Sequence, residues 1–269
     1  MRKFSEISFV LFILFVFSLP SFGQSVENIE QELIGHIKNI REWSNYTNNY
    51  QAELAEKLDK ENKTFKKKLL KYANRKATLK YDFKTLGEYM NVATSKDGKF
   101  RIYSWDEENG GTMRDYAVVY QYQGANGKVY SRIDKEAETD GGNIGAFVYN
   151  IYSVKTKAGK VYVVCSTFIG GNSDHYGSAN LYKIKGSKLI DTIKLFKTKS
   201  GLQNSIGFEY NFFSVVDRPE RPIKLVLFNE KKQTVKIPVV IKKDENDYGT
   251  VTNKFINYRF NGTYFVKLK

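Results

Sequence analysis

From Val26 onward, apolar side chains recur every three or four positions, through Ile29, Leu33, Ile37, Ile40 and Trp43 to Tyr46, Tyr50, Leu54 and Leu58. That spacing sets one apolar face along a helix. Ser25 stands where a helix N-cap is wanted, and Glu27, Glu30 and Glu32 crowd the end that the helix dipole makes attractive to acids. The polar cluster Ser44-Asn45 and Thr47-Asn48-Asn49 predicts a break into two helices. A further helical stretch over 64–73 sets Phe65, Leu69 and Tyr72 on one side and lysines on the other. Near residue 90 the period switches to alternation, which marks strands. Six segments (91–105, 116–133, 147–169, 180–196, 223–241 and 255–268) read as strand, short turn, strand. Their turns centre on Asp97-Gly98, Asn126-Gly127, Ala158-Gly159, Gly186-Ser187, residues 229–233 and Asn261-Gly262. Asp-Gly and Asn-Gly supply the positive φ of tight hairpins. An extra run over 206–216 adds a thirteenth strand. The expected fold is mainly β with an N-terminal α-helical segment: an antiparallel meander of about six hairpins, sandwich- or barrel-like, with a small or partial propeller as the alternative.

The first residues follow a different rule. Arg2 and Lys3 precede the unbroken apolar run 9–17, Pro20 ends the stretch, and Ser21 and Gly23 place small residues at the positions a signal peptidase inspects. The run is shorter than the roughly 20 apolar residues of a membrane-spanning helix. Residues 1–23 are therefore read as a cleaved signal peptide, against the alternative of a retained N-terminal anchor. Residues 24–89 then form the helical segment and 90–269 the β-meander, giving an exported protein, periplasmic or extracellular, with no transmembrane segment after cleavage.

Charge and cysteine usage sharpen that expectation. The chain carries 43 Lys and Arg against 29 Asp and Glu, a net charge of +14, which draws it toward anionic surfaces such as acidic glycans or lipid headgroups. Export argues against nucleic acid as the partner. Residues 62–80 hold eight Lys or Arg and no acid, with Lys66, Lys67 and Lys68 at the centre; the run reads as a solvated helix face or as an anionic-surface contact. The single Cys165 forms no disulfide within the chain and lies in the apolar run 161–169, the setting of a buried, inert thiol.

No residue set outweighs a structural role as a catalytic centre. In Gly170-Gly-Asn-Ser-Asp-His-Tyr-Gly177, Ser173, Asp174 and His175 offer a hydroxyl, a carboxylate and a base in a polar hairpin loop, but neighbours in sequence rarely face one another as a triad must. Carboxylates recur at 106–115, from Asp106 to Asp115, and at 134–140, a pattern that glycan hydrolysis would need. As a calcium loop the second set fails, because counting from Glu136 puts Phe147 where the bidentate Glu belongs. His and Cys are too few for a zinc site, and no cofactor is expected. Tyr103 and Trp105, followed by Tyr116, Tyr120 and Tyr122, would stack on sugars if exposed and pack as core if not.

The stretch Asp97-Gly-Lys-Phe-Arg-Ile-Tyr-Ser-Trp-Asp106, followed by Gly110-Gly-Thr-Met113, resembles a signature of uncharacterised secreted bacterial proteins. The resemblance implies no activity. The leading functional expectation is a non-catalytic envelope module that binds an anionic glycan, a surface polymer or another envelope protein. A secreted glycan hydrolase using loop carboxylates, and an inhibitor or immunity-type protein presenting residues 170–177, are the alternatives. Whether the three polar loops meet is the observation that separates them.

Overall fold

Helix α1, Val26–Glu42, starts where the Ser25 hydroxyl accepts the Asn28 amide, 3.2 Å away, and it buries Ile29, Leu33, Ile37 and Ile40 at helical spacing. These features belong to a computed structural model that describes residues 24–133 and 145–268. The expected signal peptide at 1–23 and the acidic stretch at 134–140 lie outside the described residues. The expected break after α1 is present. Asn48 donates its side-chain amide to the carbonyls of Glu42 and Ser44, both at 2.9 Å, and thereby satisfies groups that a continuing helix would have used. Tyr46 and Tyr50 therefore leave the apolar face on which their spacing had placed them and stand exposed. Helix α2, Ala52–Ala73, is one element: the stretch expected at 64–73 is its second half. It buries Leu58, Asn62, Phe65, Leu69 and Tyr72. A short helix α3, Lys76–Lys80, follows.

All six expected hairpins form. They are β1 (Asn91–Thr94) with β2 (Phe100–Asp106), β3 (Tyr116–Gln123) with β4 (Val129–Ile133), β5 (Phe147–Thr156) with β6 (Gly159–Ile169) and β7 (Asp174–Lys185) with β8 (Lys188–Ile190). After β9 (Phe196–Thr198), β10 (Gly201–Gln203) and β11 (Ser205–Asn211) come β12 (Leu227–Asn229) with β13 (Thr234–Ile241) and β14 (Thr250–Phe260) with β15 (Phe265–Lys267). Gly98 and Gly127 adopt the positive φ their turns require, 65° and 75°.

The strands form three sheets, ordered β1-β2-β3-β4, β11-β7-β6-β5 and β10-β9-β15-β14-β13-β12, and none closes into a barrel. The fold is thus mainly β with N-terminal helices, built from stacked antiparallel sheets. It departs from a simple meander in two places. Strand β11 returns to pair with β7, and β15 pairs in parallel with β9. The short strands β9 and β10 carried no alternation long enough to be read from sequence.

Strand periodicity orders the layers. Along β2, Tyr103 and Trp105 join the helix residues Ile29, Leu33, Phe65 and Leu69 in one core, whereas Phe100 and Ile102 face the second sheet and pack with Val148, Tyr162 and Val164. Along β6, Val161, Val163 and Cys165 turn the other way, onto Phe196, Val235, Tyr258 and Phe265 of the third sheet. The order is helices, sheet, sheet, sheet. Because the middle sheet is covered on both faces, β6 reads as an unbroken apolar run rather than an alternating one.

Candidate functional site

Strand β2 ends at Asp106, and the connection to β3 doubles back there: the Glu107 amide donates to the Asp115 carbonyl at 2.8 Å, and the Arg114 amide to the Ile169 carbonyl at 3.0 Å. The second bond ties this loop to the end of β6, in a different sheet. Two of the polar segments singled out in the sequence, 106–115 and 170–177, therefore meet.

Three charged side chains interlock where they do. Arg114 Nη1 lies 3.2 Å from Asp106 Oδ2 and 3.5 Å from Glu108 Oε2, and its guanidinium sits 4.1 Å from the centre of the Tyr46 ring. Glu108 also accepts the Ser44 hydroxyl at 2.7 Å, so the break between α1 and α2 braces the loop. Burial pushes the Asp106 carboxyl up to about 6; the Glu108 amide donating to it and Arg114 act downward, while the Glu108 and Asp115 charges add to the rise. Beside it, the Tyr116 hydroxyl is also raised, first by burial and then by the Asp106 charge.

Around this cluster opens a cleft of two lobes that share Arg114, Ile169, Arg221 and Pro222 as walls. One lobe, about 400 Å3, adds Arg41, Tyr89, Asp106, Glu108 and Tyr116. The other, about 370 Å3, adds Tyr46, Asn172, His175 and Phe212. Arg221 is held in place by donating to the carbonyls of Arg218, Glu220 and Val216. The chain matches no protein family, no curated protein and no solved structure.

The structure places the sequence candidates as follows. Asp174 and His175 do not lie in a loop: the turn is 170–173, and Asp174 opens β7, with His175 opposite Ile169 of β6 and Tyr210 of β11. Successive strand residues point to opposite faces, so Asp174 does not orient the imidazole. His175 is buried, its ring stacked on Phe212 at 4.7 Å, and its Nδ1 lies 3.5 Å from the Tyr210 hydroxyl. Burial lowers it to about 4, against the opposing bond with the Gly171 backbone, so at neutral pH it is a neutral packing residue. Tyr103 and Trp105 are core residues and present no ring face to solvent. The Trp105 indole donates to Asn62 Oδ1 at 3.3 Å and meets Phe65 edge-on at 4.8 Å. Lys66 pairs with Glu107 at 2.7 Å and Lys68 with Glu32, which leaves Lys67 exposed between two neutralised neighbours. Of the eight candidates, only Asp106 and the edges of His175 and Trp105 line the cleft.

Arg41, Tyr46, Arg114 and Arg221 were not singled out from sequence. For Tyr46 a signal existed, since its neighbours Asn45 and Thr47 are polar. Arg221 had none: it reaches the cleft from a connection more than a hundred residues from Arg114 in the chain.

Proposed function

We propose that the protein is an exported, non-catalytic binding module of the cell envelope, and that the cleft between 106–114, 170–175 and Arg221 holds a segment of an anionic glycan. One observation carries this reading: Arg41, Arg114 and Arg221 and the rings of Tyr46, Tyr89, Tyr116 and Phe212 share one cleft with Asp106 and Glu108, both of which Arg114 already holds. Guanidinium groups attract carboxylate and phosphate, and an exposed ring such as that of Tyr46 can stack on a sugar face. Arg114 engages both carboxylates at once and ties them into one charged cluster.

Export itself is tested by reading the N-terminus of the protein recovered outside the cytoplasm. Gln24 is the expected first residue, and a chain still bearing residues 1–23 overturns that part. For the cleft, titration calorimetry with fragments of acidic cell-surface polysaccharide is expected to show saturable binding that weakens with salt. Arg114→Ala and Tyr46→Ala are each expected to reduce it about tenfold or more, as loss of a charge-assisted contact or a stacked ring does. Unchanged affinity in both variants overturns the assignment. A single observation favours the hydrolase reading, the Asp106 carboxyl raised to about 6, a value suited to a general acid. Release of reducing ends by the native protein, abolished in Asp106→Asn, would replace binding with hydrolysis.

A further inference from the structure

At the other end of β2 from Asp106 lies a second polar cavity, of about 450 Å3, lined by Lys76, Lys80, Asp82, Asp97, Lys99 and Arg101 among others. Arg101 is the unusual member. It is 3% exposed, so its cationic guanidinium is buried. Burying a cation is costly unless an anion accompanies it, yet no carboxylate among the described residues pairs with it. Its partners are neutral: Nε donates to the Thr94 hydroxyl at 2.7 Å, and Nη1 donates to the Thr78 carbonyl at 2.7 Å and reaches the Tyr103 hydroxyl at 3.4 Å. The rings of Phe83 and Tyr103 lie against the guanidinium at 5.5 and 5.8 Å. The second terminal nitrogen, Nη2, donates to none of these groups.

The rim adds positive charge. Lys76 and Lys80 project from α3, and Lys99 from the β1–β2 turn; all three are exposed. Among the described residues, two carboxylates face them. Asp97 is already taken by Lys160, the Ser95 hydroxyl, the Tyr162 hydroxyl and the Lys99 amide. Asp82 is exposed. Four cations against two carboxylates, one of them engaged by a lysine outside the cavity, leave an excess that suits a dianion.

We infer that this cavity is a binding site for a phosphoryl group, with the buried Arg101 at its floor and Lys76, Lys80 and Lys99 at its mouth. The site is independent of the glycan cleft, because β2 separates the two. A guanidinium whose Nη2 is not among the donors above, backed by three ammonium groups, is an arrangement that suits a tetrahedral oxyanion. The phosphoryl group can be free, carried on a glycan or carried on a lipid headgroup.

The test uses the full chain with inorganic phosphate as the probe, at ionic strength held constant with chloride. Phosphate is expected to raise the melting temperature saturably and to broaden its own phosphorus resonance. The variant K76A/K80A/K99A, altered only at exposed positions, is expected to fold normally by circular dichroism and to lose about tenfold or more in phosphate affinity. Arg101→Lys is expected to weaken binding as well; should it fail to fold, the triple variant still decides. Arg114→Ala, which disables the glycan cleft, is expected to bind phosphate as the native chain does. Sedimentation with phosphatidic acid vesicles, competed by phosphate, assigns the group to a lipid, and phosphate binding without vesicle binding assigns it to a soluble or glycan-borne source; both support the site. No saturable response beyond that of chloride, or equal phosphate affinity in the triple variant, overturns it.

Discussion

At the scale of single residues, burial and hydrogen bonding move two carboxyls of this protein in opposite directions. Asp106 loses more hydration than Arg114 restores, so its carboxyl stands at about 6. A carboxyl raised in the folded state takes up its proton there before the unfolded chain does. Its contribution to stability is therefore fully present below the ordinary carboxylate range and is lost as pH rises through about 6. Asp106→Asn is expected to remove that dependence, so that the stability difference between native and variant protein changes between pH 6 and the ordinary carboxylate range; urea titrations at a series of pH values check it. Glu32 behaves in the opposite sense. Burial acts to raise it, but bonds from Lys68, Tyr72 and Gln24 hold it at about 2, so its stabilisation is present above the ordinary range and lost as pH falls toward 2. Cys165 is inert for the reason that Asp106 is raised: complete burial pushes the thiol up to about 12.

At the scale of elements, two seams position the cleft. The first joins α2 to the end of β2 through Asn62, which accepts from the Trp105 indole and donates to the carbonyls of Glu107, at 2.8 Å, and Leu58. Replacing Asn62 with Leu leaves the buried Trp105 indole N–H without the acceptor it has here. The expected cost is about 1–3 kcal/mol, measurable by urea unfolding. The second seam is the 106–115 loop. A Cβ on Gly110 would stand 2.3 Å from the Met113 carbonyl oxygen, a backbone atom that cannot move aside alone. Gly110→Ala is accordingly expected to displace Arg114, weaken glycan binding about tenfold and lower the melting temperature, because the Arg114 ion pairs and its bond to Ile169 are disturbed together; calorimetry and thermal unfolding check the two effects.

At the scale of the whole molecule, the four layers share strands rather than merely touching. Strand β2 contributes Tyr103 and Trp105 to the core under the helices and Phe100 and Ile102 to the core below, and β6 is likewise divided between two cores. Loss of one layer exposes large rings in the next. The chain is expected to unfold in a single cooperative transition from residue 24 onward, with calorimetric and van 't Hoff enthalpies equal. Separate transitions for the helical layer and the sheets would show that the shared strands do not couple them. No helix among the described residues is long and apolar enough to cross a membrane. Exposed lysines such as Lys67, Lys76 and Lys99 put positive charge on the outside of this stack.

What the chain alone determined are the features governed by neighbours two to four residues apart: the α1 cap at Ser25, the apolar faces of α1 and α2, the turns at Gly98 and Gly127, and the buried character of 161–167. Each of these repeats a local spacing, and local spacing survives in a linear sequence. The layer order, the return of β11 to β7, the parallel contact of β15 with β9, the burial of His175 and the meeting of Tyr46, Asp106, Arg114 and Arg221 were decided only in three dimensions. Their partners lie tens to hundreds of residues apart, and no periodicity encodes which apolar face finds which. Arg101 shows the division most plainly: along the chain it is one cation among 43, and only the packing of α3, β1 and β2 around it makes it a buried charge whose partners among the described residues are neutral.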